Sequence, residues 1–432
     1  PDKTLLQVCP DIDPDSYWET CRSIYGQADA GRNWWLQITS DFKEFGLLPC
    51  SHDECLYIYT EGEGENKQEL IVALAVDDIL HAGSSQEIVD KFLNFLTETK
   101  GYTIDTDKEL DWYLAVAYEK NEDGSISSQQ QAYIEKCLER YNLQEAKPKS
   151  TPMAPDFKLD IQDLDFDAPP DRIKLYRSMV ASLLWVSVWS HPEISYAVST
   201  LSRCLSQPSE RLVEAAQDVW RYLKGVKSEG VRFTSSDHHG HEDWQLYAFC
   251  DSSDFDCKIS GRSTGGYAIF LGGTLIDSRS ARIPLVTLSS TESEYCQTTI
   301  AAIQILHYRE ILERLGYPQK PTFLYQDNES CIKLSINNSS ALRTRHIKRR
   351  WHFIRQCVED KEIILIPVDT SKQIADLFTK PLPAPQFMYL RDILLNKFPH
   401  LRKSDPQAKK EAFKALHSRL GLVSQKKRRT NS

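Results

Sequence analysis

The sequence predicts a multi-domain protein of mixed α+β and α/β class, and three observations lead there. At 432 residues the chain is about two to four times the size of a typical domain, so more than one hydrophobic core is expected. Hydrophobic residues at 41% and charged residues at 26% are ordinary for a folded globular chain and unlike a disordered one. The character of the elements also changes along the chain. Helix and strand mix in the first part, helices dominate the middle, and three meandering strands followed by alternating helix and strand fill the last part. That last pattern implies a mixed sheet with helices packed on it.

The first part opens on a Trp- and aromatic-rich helix at 29–45. Strands "CLYIYT" and "LIVALAV" and an amphipathic helix "SQEIVDKFLNFLTETKG" follow. A strand is expected through "LDWYLAVAYEK", and "NEDGS" supplies hairpin turn chemistry before "ISSQ". An amphipathic helix "QAYIEKCLERYNL" is closed by the Pro-rich linker "KPKSTPMAPD", and an acidic connector ends near 171. Helices at 172–188, "HPEISYAVSTLSRCL" and "PSERLVEAAQDVWRYLKG" make up the middle, with Pro at early positions where its missing N–H costs little. "SSDHHGHED" marks a boundary near 236–243. Beyond it lie strands "WQLYAFCDSS", "TGGYAIFLGG" and "TLIDSRS" and a long helix from about 291 to 315. Strand "TFLYQD", helix "NESCIKLSI", a basic segment, strand "EIILIPVD" and helix "SKQIADLFTK" complete the pattern.

Composition excludes several classes. No apolar stretch approaches the roughly 20 residues that span a bilayer, and the N-terminus lacks a basic-then-apolar signal, so an intracellular, non-secreted protein without a membrane partner is expected. The first residue is not Met and no element starts there, which predicts further sequence upstream. Eleven cysteines, an odd number without C-x-x-C pairs, argue for reduced thiols. "CSHDEC" lacks the second pair that a structural zinc site needs, and "HHGH" reads as a solvated loop. The net charge of −9 disfavours general nucleic-acid binding, yet "RTRHIKRRWHFIR" and the terminal "QKKRRTNS" are strongly basic.

The carboxylates carry the chemistry. In "LIVALAVDDILH" the adjacent Asp77 and Asp78 stand between two apolar runs, where the polar tip of a hairpin is a sufficient explanation. In the last part Asp251 ends an apolar strand, Glu294 lies one turn into the helix announced by "LSSTESEY", Asp327 ends "TFLYQ", and Asp376 sits within "KQIADLFTK". Each alone has a local reading as a turn former, helix cap or capping-box acid. If the strands bearing Asp251 and Asp327 are sheet neighbours, both acids open at one sheet end, where α/β ligand sites form. Four carboxylates within about 5 Å cost roughly 3 kcal/mol per like pair at an effective dielectric near 20. Such a cluster needs cations, and oxygen-only ligands select two Mg²⁺ or Mn²⁺ ions, the pairing that suits phosphodiester hydrolysis.

The motifs then resemble a specific family. "YGQADAGRNWW", "AVDDIL", "STPM", "YRSMVASLLWVS", "HPEISYAVSTLSR", "RYLKG", "GRSTGGYAIFLGG", "LSSTESEY", "QDNESCIKL", "RTRHIKRRWHFIR" and "KQIADLFTK" run in family order from about 20 to 395. They resemble the C-terminal part of a copia-type LTR retrotransposon Pol polyprotein, reverse transcriptase followed by ribonuclease H. The resemblance implies partial reverse-transcriptase fingers and palm over 1–125 and helical thumb and connection over 126–236. It implies a ribonuclease H-like domain with a mixed five-stranded sheet over 244–385 and a basic C-terminal tail over 386–432. Asp251 would bridge both ions, Glu294 and Asp327 would fix the ion beside the leaving oxygen, and Asp376 would hold the water-activating ion. Glu294 is preferred to Glu292 because the family places its acid directly before an apolar or aromatic residue, here Tyr295. "AVDDIL" is similar to the polymerase hairpin, making Asp77 a metal ligand and Asp78 its neighbour. Arg262, Arg343, Arg345, Lys348, Arg349, Arg350 and Trp351 are expected to contact an RNA–DNA hybrid or primer-template, by charge and by stacking. Association with the rest of a polyprotein, in cytoplasmic particles or the nucleus, is also implied.

The sequence departs from that family at three places and shares with it one difference from cellular ribonucleases H. Ala75 stands where the polymerase hairpin has Tyr, Ala115 where a strand usually has Gly, and no counterpart of the first polymerase aspartate is present. No His precedes Asp376 as it does in cellular ribonucleases H, and for His346 and His352 a structural or phosphate-touching role is the simpler expectation. Three readings follow: an active ribonuclease H joined to a polymerase remnant, a degenerate copy that only binds nucleic acid, or an RNA-directed DNA polymerase whose first residues precede Pro1.

Overall fold

The structure is a computed structural model, and it describes residue 23 and residues 26–51, 53–105, 110–234, 244–336 and 352–397. The chain divides into two compact units, Pro1–Thr106 and Asp107–Ser432.

In the first unit, helix α1 (Ala30–Phe45) ends at Gly46, whose φ of 106° is a left-handed conformation that glycine adopts without steric cost. Strands β1 (Leu48–Cys50), β2 (Asp53–Glu61), β3 (Gln68–Ala75) and β4 (Asp78–Gly83) form an antiparallel sheet in chain order. Along β3, Leu70, Val72 and Leu74 are buried at every second position, so one face of the sheet takes the apolar residues. Helix α2 (Gln86–Asn94), capped by the Ser85 hydroxyl accepting from the Ile88 N–H, covers that face. Ile38, Phe42, Tyr57, Ile88 and Phe92 join it in one core.

The second unit opens on a hairpin. The expected single strand through "LDWYLAVAYEK" is a hairpin of β5 (Trp112–Tyr113) and β6 (Val116–Lys120), turning through Leu114 and Ala115 at φ 49° and 59°. Two successive positive φ values give the tight turn whose twist matches paired strands. Strands β7 (Ile126–Gln129) and β8 (Arg232–Phe233) complete that small sheet. Between them run helices α3 (Gln131–Arg140), α4 (Pro170–Trp189), α5 (Ser195–Leu201) and α6 (Glu210–Val226).

The larger sheet contains β9 (Leu246–Cys257), β10 (Arg262–Leu271), β11 (Thr274–Arg282), β12 (Thr322–Gln326) and β13 (Ile363–Pro367), in the order β11-β10-β9-β12-β13. The first three strands meander antiparallel, whereas β12 runs parallel to β9 and β13 parallel to β12. The mixed sheet expected from the element order is therefore present, with the five strands that the resemblance implies. Both its faces are covered. Leu246, Ala248 and Cys250 share a core with residues of helix α7 (Ser290–Arg314), with Cys331 of α8 (Glu329–Ile336) and with Ile354 and Cys357 of α9 (Phe353–Glu359). Tyr247 and Phe249 pack on the other side with Phe378 and residues of α4 and α6. That second core also takes Phe387, Leu390 and Leu394 of helix α10 (Ala384–Leu394), so an ordered helix occupies the start of the range expected as a tail.

The segment expected as a helix through "SKQIADLFTK" is instead two short 3-10 turns, Thr370–Lys372 and Ile374–Phe378. Gln373 breaks them with an extended ψ of 98°. Its buried amide accepts locally from the Ala375 N–H and donates to the Cys250 carbonyl at 3.0 Å, and that tertiary bond overrides local helix propensity. Among the described residues no helix is long and apolar enough to cross a membrane.

Candidate metal centre

The sheet register brings two of the acids together. Tyr325 on β12 lies opposite Phe249 on β9, and Asp251 and Asp327 each follow two residues later at the same end of parallel neighbours. Asp376 arrives from the 3-10 turn Ile374–Phe378, and a glycine lets it approach. Gly266 on β10 pairs with Asp251, and a Cβ there would lie 2.5 Å from Cβ of Phe378 and 3.0 Å from Cγ2 of Thr379. Asp251, Asp327 and Asp376 each offer a carboxylate oxygen, and the three oxygens lie within 4.8 Å of one another. Among the described residues this is the one group of three or more His, Cys, Asp or Glu side chains that could converge on an ion.

Glu294 sits beside these three rather than within that group. The Glu292 carboxylate accepts from the Leu288 N–H at 2.8 Å and so closes the helix cap, which leaves Glu294 to face the sheet. There Glu294 Oε2 accepts from the Gln326 amide at 3.1 Å. The Thr370 hydroxyl donates to Asp327 at 3.1 Å, and the Thr379 hydroxyl donates to Asp251. Lys380 sends its ammonium between Asp376, 2.8 Å from Oδ1, and Asp251, 3.8 Å from Oδ2. Sequence reasoning missed Lys380, Thr370, Thr379 and Gln373. The spacing of Lys380 four residues after Asp376 was the available signal for the first.

Electrostatics follow from burial and like charge. Asp251 and Asp376 are almost fully buried. Burial first, then the neighbouring charges of Asp251 and Asp327, push the Glu294 carboxyl well above the usual range. Burial and Asp251 likewise raise Asp327, with the Thr370 hydrogen bond opposing. Asp376 is pushed up to about 8 by burial and by Asp251, against the pull of Lys380. Burial favours the neutral Lys380 amine, but Asp251 and Asp376 outweigh it and hold the ammonium more firmly charged than usual.

The residues fit hard divalent ions. Every donor in the group is a carboxylate oxygen, the chemistry that Mg²⁺ and Mn²⁺ select. Both oxygens of Asp376 are buried without a well-directed hydrogen bond, and its charged partner is the Lys380 ammonium 2.8 Å from Oδ1. A single ammonium leaves the second oxygen of this buried carboxylate, and the charge of its neighbours, for further cations to satisfy.

Asp77 and Asp78 are exposed, at the turn between β3 and β4, where Ala75 pairs with Asp78. Val76 in that turn has φ 59°, a costly conformation for a β-branched residue, and its carbonyl accepts from the Trp34 indole at 2.5 Å. Arg262 begins β10, partly exposed, four residues before Gly266 and so about 13 Å along the strand from the Asp251 pair. Arg343, Arg345, His346, Lys348, Arg349, Arg350 and Trp351 lie outside the described residues. His352 is described, and its Nδ1 is 3.0 Å from the Tyr295 hydroxyl.

Comparison with known proteins adds the family. Residues 8–155 match the family of reverse transcriptases (RNA-dependent DNA polymerases). Over 378 residues, 86% of this chain, the sequence is 30% identical to the retrovirus-related Pol polyprotein from transposon TNT 1-94 of Nicotiana tabacum. The chain is a copia-type retrotransposon Pol sequence with a reverse transcriptase region. It is also 29% identical, over 87% of its length, to the Pol polyprotein from transposon RE1 of Arabidopsis thaliana. A transposon Ty5-1 protein of Saccharomyces cerevisiae is 28% identical over 68% of this chain and 91% of its own length. The chain spans about a quarter of the two plant polyproteins, 28% and 25% of their lengths. A crystal structure of RNase H1 from Halobacterium salinarum aligns over 31% of this chain and 94% of its own, at 13% identity and a TM-score of 0.20, too low to establish a shared fold.

Proposed function

We propose that this retrotransposon Pol chain hydrolyses the RNA strand of RNA–DNA hybrids at the centre formed by Asp251, Glu294, Asp327 and Asp376. The observation that carries the reading is the convergence of three carboxylates within 4.8 Å from two parallel strands and a glycine-seated turn, one of them buried with both oxygens poorly satisfied. Asp251, Asp327 and Asp376 would hold two Mg²⁺ or Mn²⁺ ions, with Glu294 completing the set. When bound, such ions supply an activated water and charge stabilisation at the departing oxygen. The protein's own contribution is preorganisation. Thr379 and Thr370 fix the carboxylates of Asp251 and Asp327, Gln326 holds Glu294, and the packed sheet keeps these groups from relaxing away.

On this reading residues 1–125 correspond to polymerase fingers and palm, 126–236 to thumb and connection, 244–385 to the nuclease and 386–432 to a basic C-terminal segment whose start is folded as helix α10. Arg262, Arg343, Arg345, Lys348, Arg349, Arg350 and Trp351 contact the hybrid or primer-template, and the chain acts with the rest of a Pol polyprotein in cytoplasmic particles or the nucleus. Nucleotidyl transfer at Asp77 and Asp78 has weaker support. Both acids stand in an exposed turn, and among the described residues no third acid joins them.

The test is hybrid cleavage by the full chain. Asp327→Asn keeps the fold, as circular dichroism would report, and abolishes Mg²⁺-dependent cutting. Turnover like the unmodified protein in that variant overturns the assignment.

A further inference from the structure

Three aspartates forced within 4.8 Å of one another repel, yet the fold closes around them. Among the described residues Lys380 is the one basic side chain within ion-pair distance of any of the three, 2.8 Å from Asp376 Oδ1 and 3.8 Å from Asp251 Oδ2. Its backbone is pinned on both sides. The Lys380 N–H donates to the Asp376 carbonyl at 3.2 Å, and Pro381 follows and restricts the residue before it. Its side chain is 36% exposed and turns about four rotatable bonds, so it has both the freedom and the space to swing outward.

We infer that Lys380 is a resident counter-cation of the centre, seated between Asp251 and Asp376, and that a divalent ion must displace its ammonium to bind there. This rests on the metal-centre reading above. An ammonium and a divalent ion cannot share the same pair of carboxylate oxygens, since like charges a few ångströms apart in a poorly solvated site repel strongly. Displacement needs no backbone change, because the pinned turn leaves only the side chain to swing outward. Metal-free chains would then stay folded with part of the acids' charge offset, while the ions bind more weakly than four carboxylates alone would allow.

The experiment titrates Mn²⁺ into the full chain by calorimetry and electron paramagnetic resonance, comparing the unmodified protein with Lys380→Met and Lys380→Arg. Removing one opposing charge should tighten the first Mn²⁺ by roughly ten- to a hundredfold in Lys380→Met, while Lys380→Arg stays near the parent value. In EDTA the Met variant should melt lower than the parent, and saturating Mn²⁺ should close that gap. If Lys380→Met does not fold, Lys380→Gln, uncharged but still a donor, is judged by the same criterion. Mn²⁺ binding that is equal or weaker in the uncharged variant overturns the counter-cation role and leaves the metal centre standing. No Mn²⁺ binding to any of the proteins overturns both.

Discussion

Metal-free protein should lose stability as pH rises, and Asp376 allows the size to be worked out. In the folded chain burial and Asp251 push its carboxyl up to about 8, against an ordinary value of 3.8. Between those two values the folded state keeps a proton that the unfolded chain has lost. The stabilisation is therefore full below about pH 4 and declines as pH climbs through the folded value. From pH 6 to pH 8 the loss is about 2 kcal/mol, since each pH unit is worth about 1.4 kcal/mol until the slope falls off near the folded value, where the carboxyl is half ionised. At roughly 2 °C per kcal/mol for a unit of this size, the melting temperature should fall by several degrees. Asp376 is almost fully buried, so solvent screening does not reduce the figure much. The assay is thermal unfolding in EDTA at pH 6, 7, 8 and 9 for the unmodified protein and Asp376→Asn. Asp376 is not among the groups that raise Glu294 or Asp327, so the difference between the two proteins across pH isolates Asp376. Saturating Mg²⁺ should flatten or invert the trend, because ligating carboxylates must be ionised and metal binding strengthens as protons leave. A melting-temperature difference between the two proteins that stays constant from pH 6 to pH 9 in EDTA would refute the reasoning.

Other substitutions test the geometry. Gly266→Ala puts a methyl 2.5 Å from Cβ of Phe378, and should cost about 1–3 kcal/mol while displacing the turn that carries Asp376. Calorimetry should then show weaker Mn²⁺ binding than in Gly272→Ala, a control on a turn remote from the acids. Ala115→Gly should stabilise the protein by about 0.5–1 kcal/mol in urea unfolding, since Ala115 sits at φ 59°, where L-residues are strained and glycine is not. Replacing both Arg349 and Arg350 by Glu should weaken binding to an RNA–DNA hybrid and lower the slope of log affinity against log salt by about 2, as filter binding across a salt series would measure.

What the sequence made legible was local or periodic. The apolar alternation of β3 and the continuous apolar run of β9 follow from one-sided and two-sided burial, and both are readable without neighbours. Leu114 and Ala115 were illegible as a turn because neither residue type favours positive φ; pairing of Trp112 with Ala117 imposes it. Gln373 was illegible as a break for a similar reason. "IADLF" reads as a helix, and the bond that ends that helix goes to Cys250, 123 residues away.

The acids show where local reading stops and why. Glu292 and Glu294 lie two residues apart on one helix, and either could complete a capping box by spacing alone. The structure gives Glu292 to the cap through the Leu288 N–H and turns Glu294 toward Gln326, so the division depends on which side of the helix meets the sheet. Charge balance is further from view. A count of acids identifies a repulsive cluster, but its neutralisation depends on where one lysine points. In sequence, Lys380 can be paired by spacing with Asp376, but nothing links it to Asp251. Only the 3-10 turn, by returning the chain so that Lys380 faces both Asp376 and Asp251, makes it part of the centre. If that turn were the regular helix expected from sequence, i to i+4 spacing would still pair Lys380 with Asp376, but nothing local would carry the ammonium to Asp251. The contact with Asp251 is therefore the tertiary feature on which competition between lysine and metal depends.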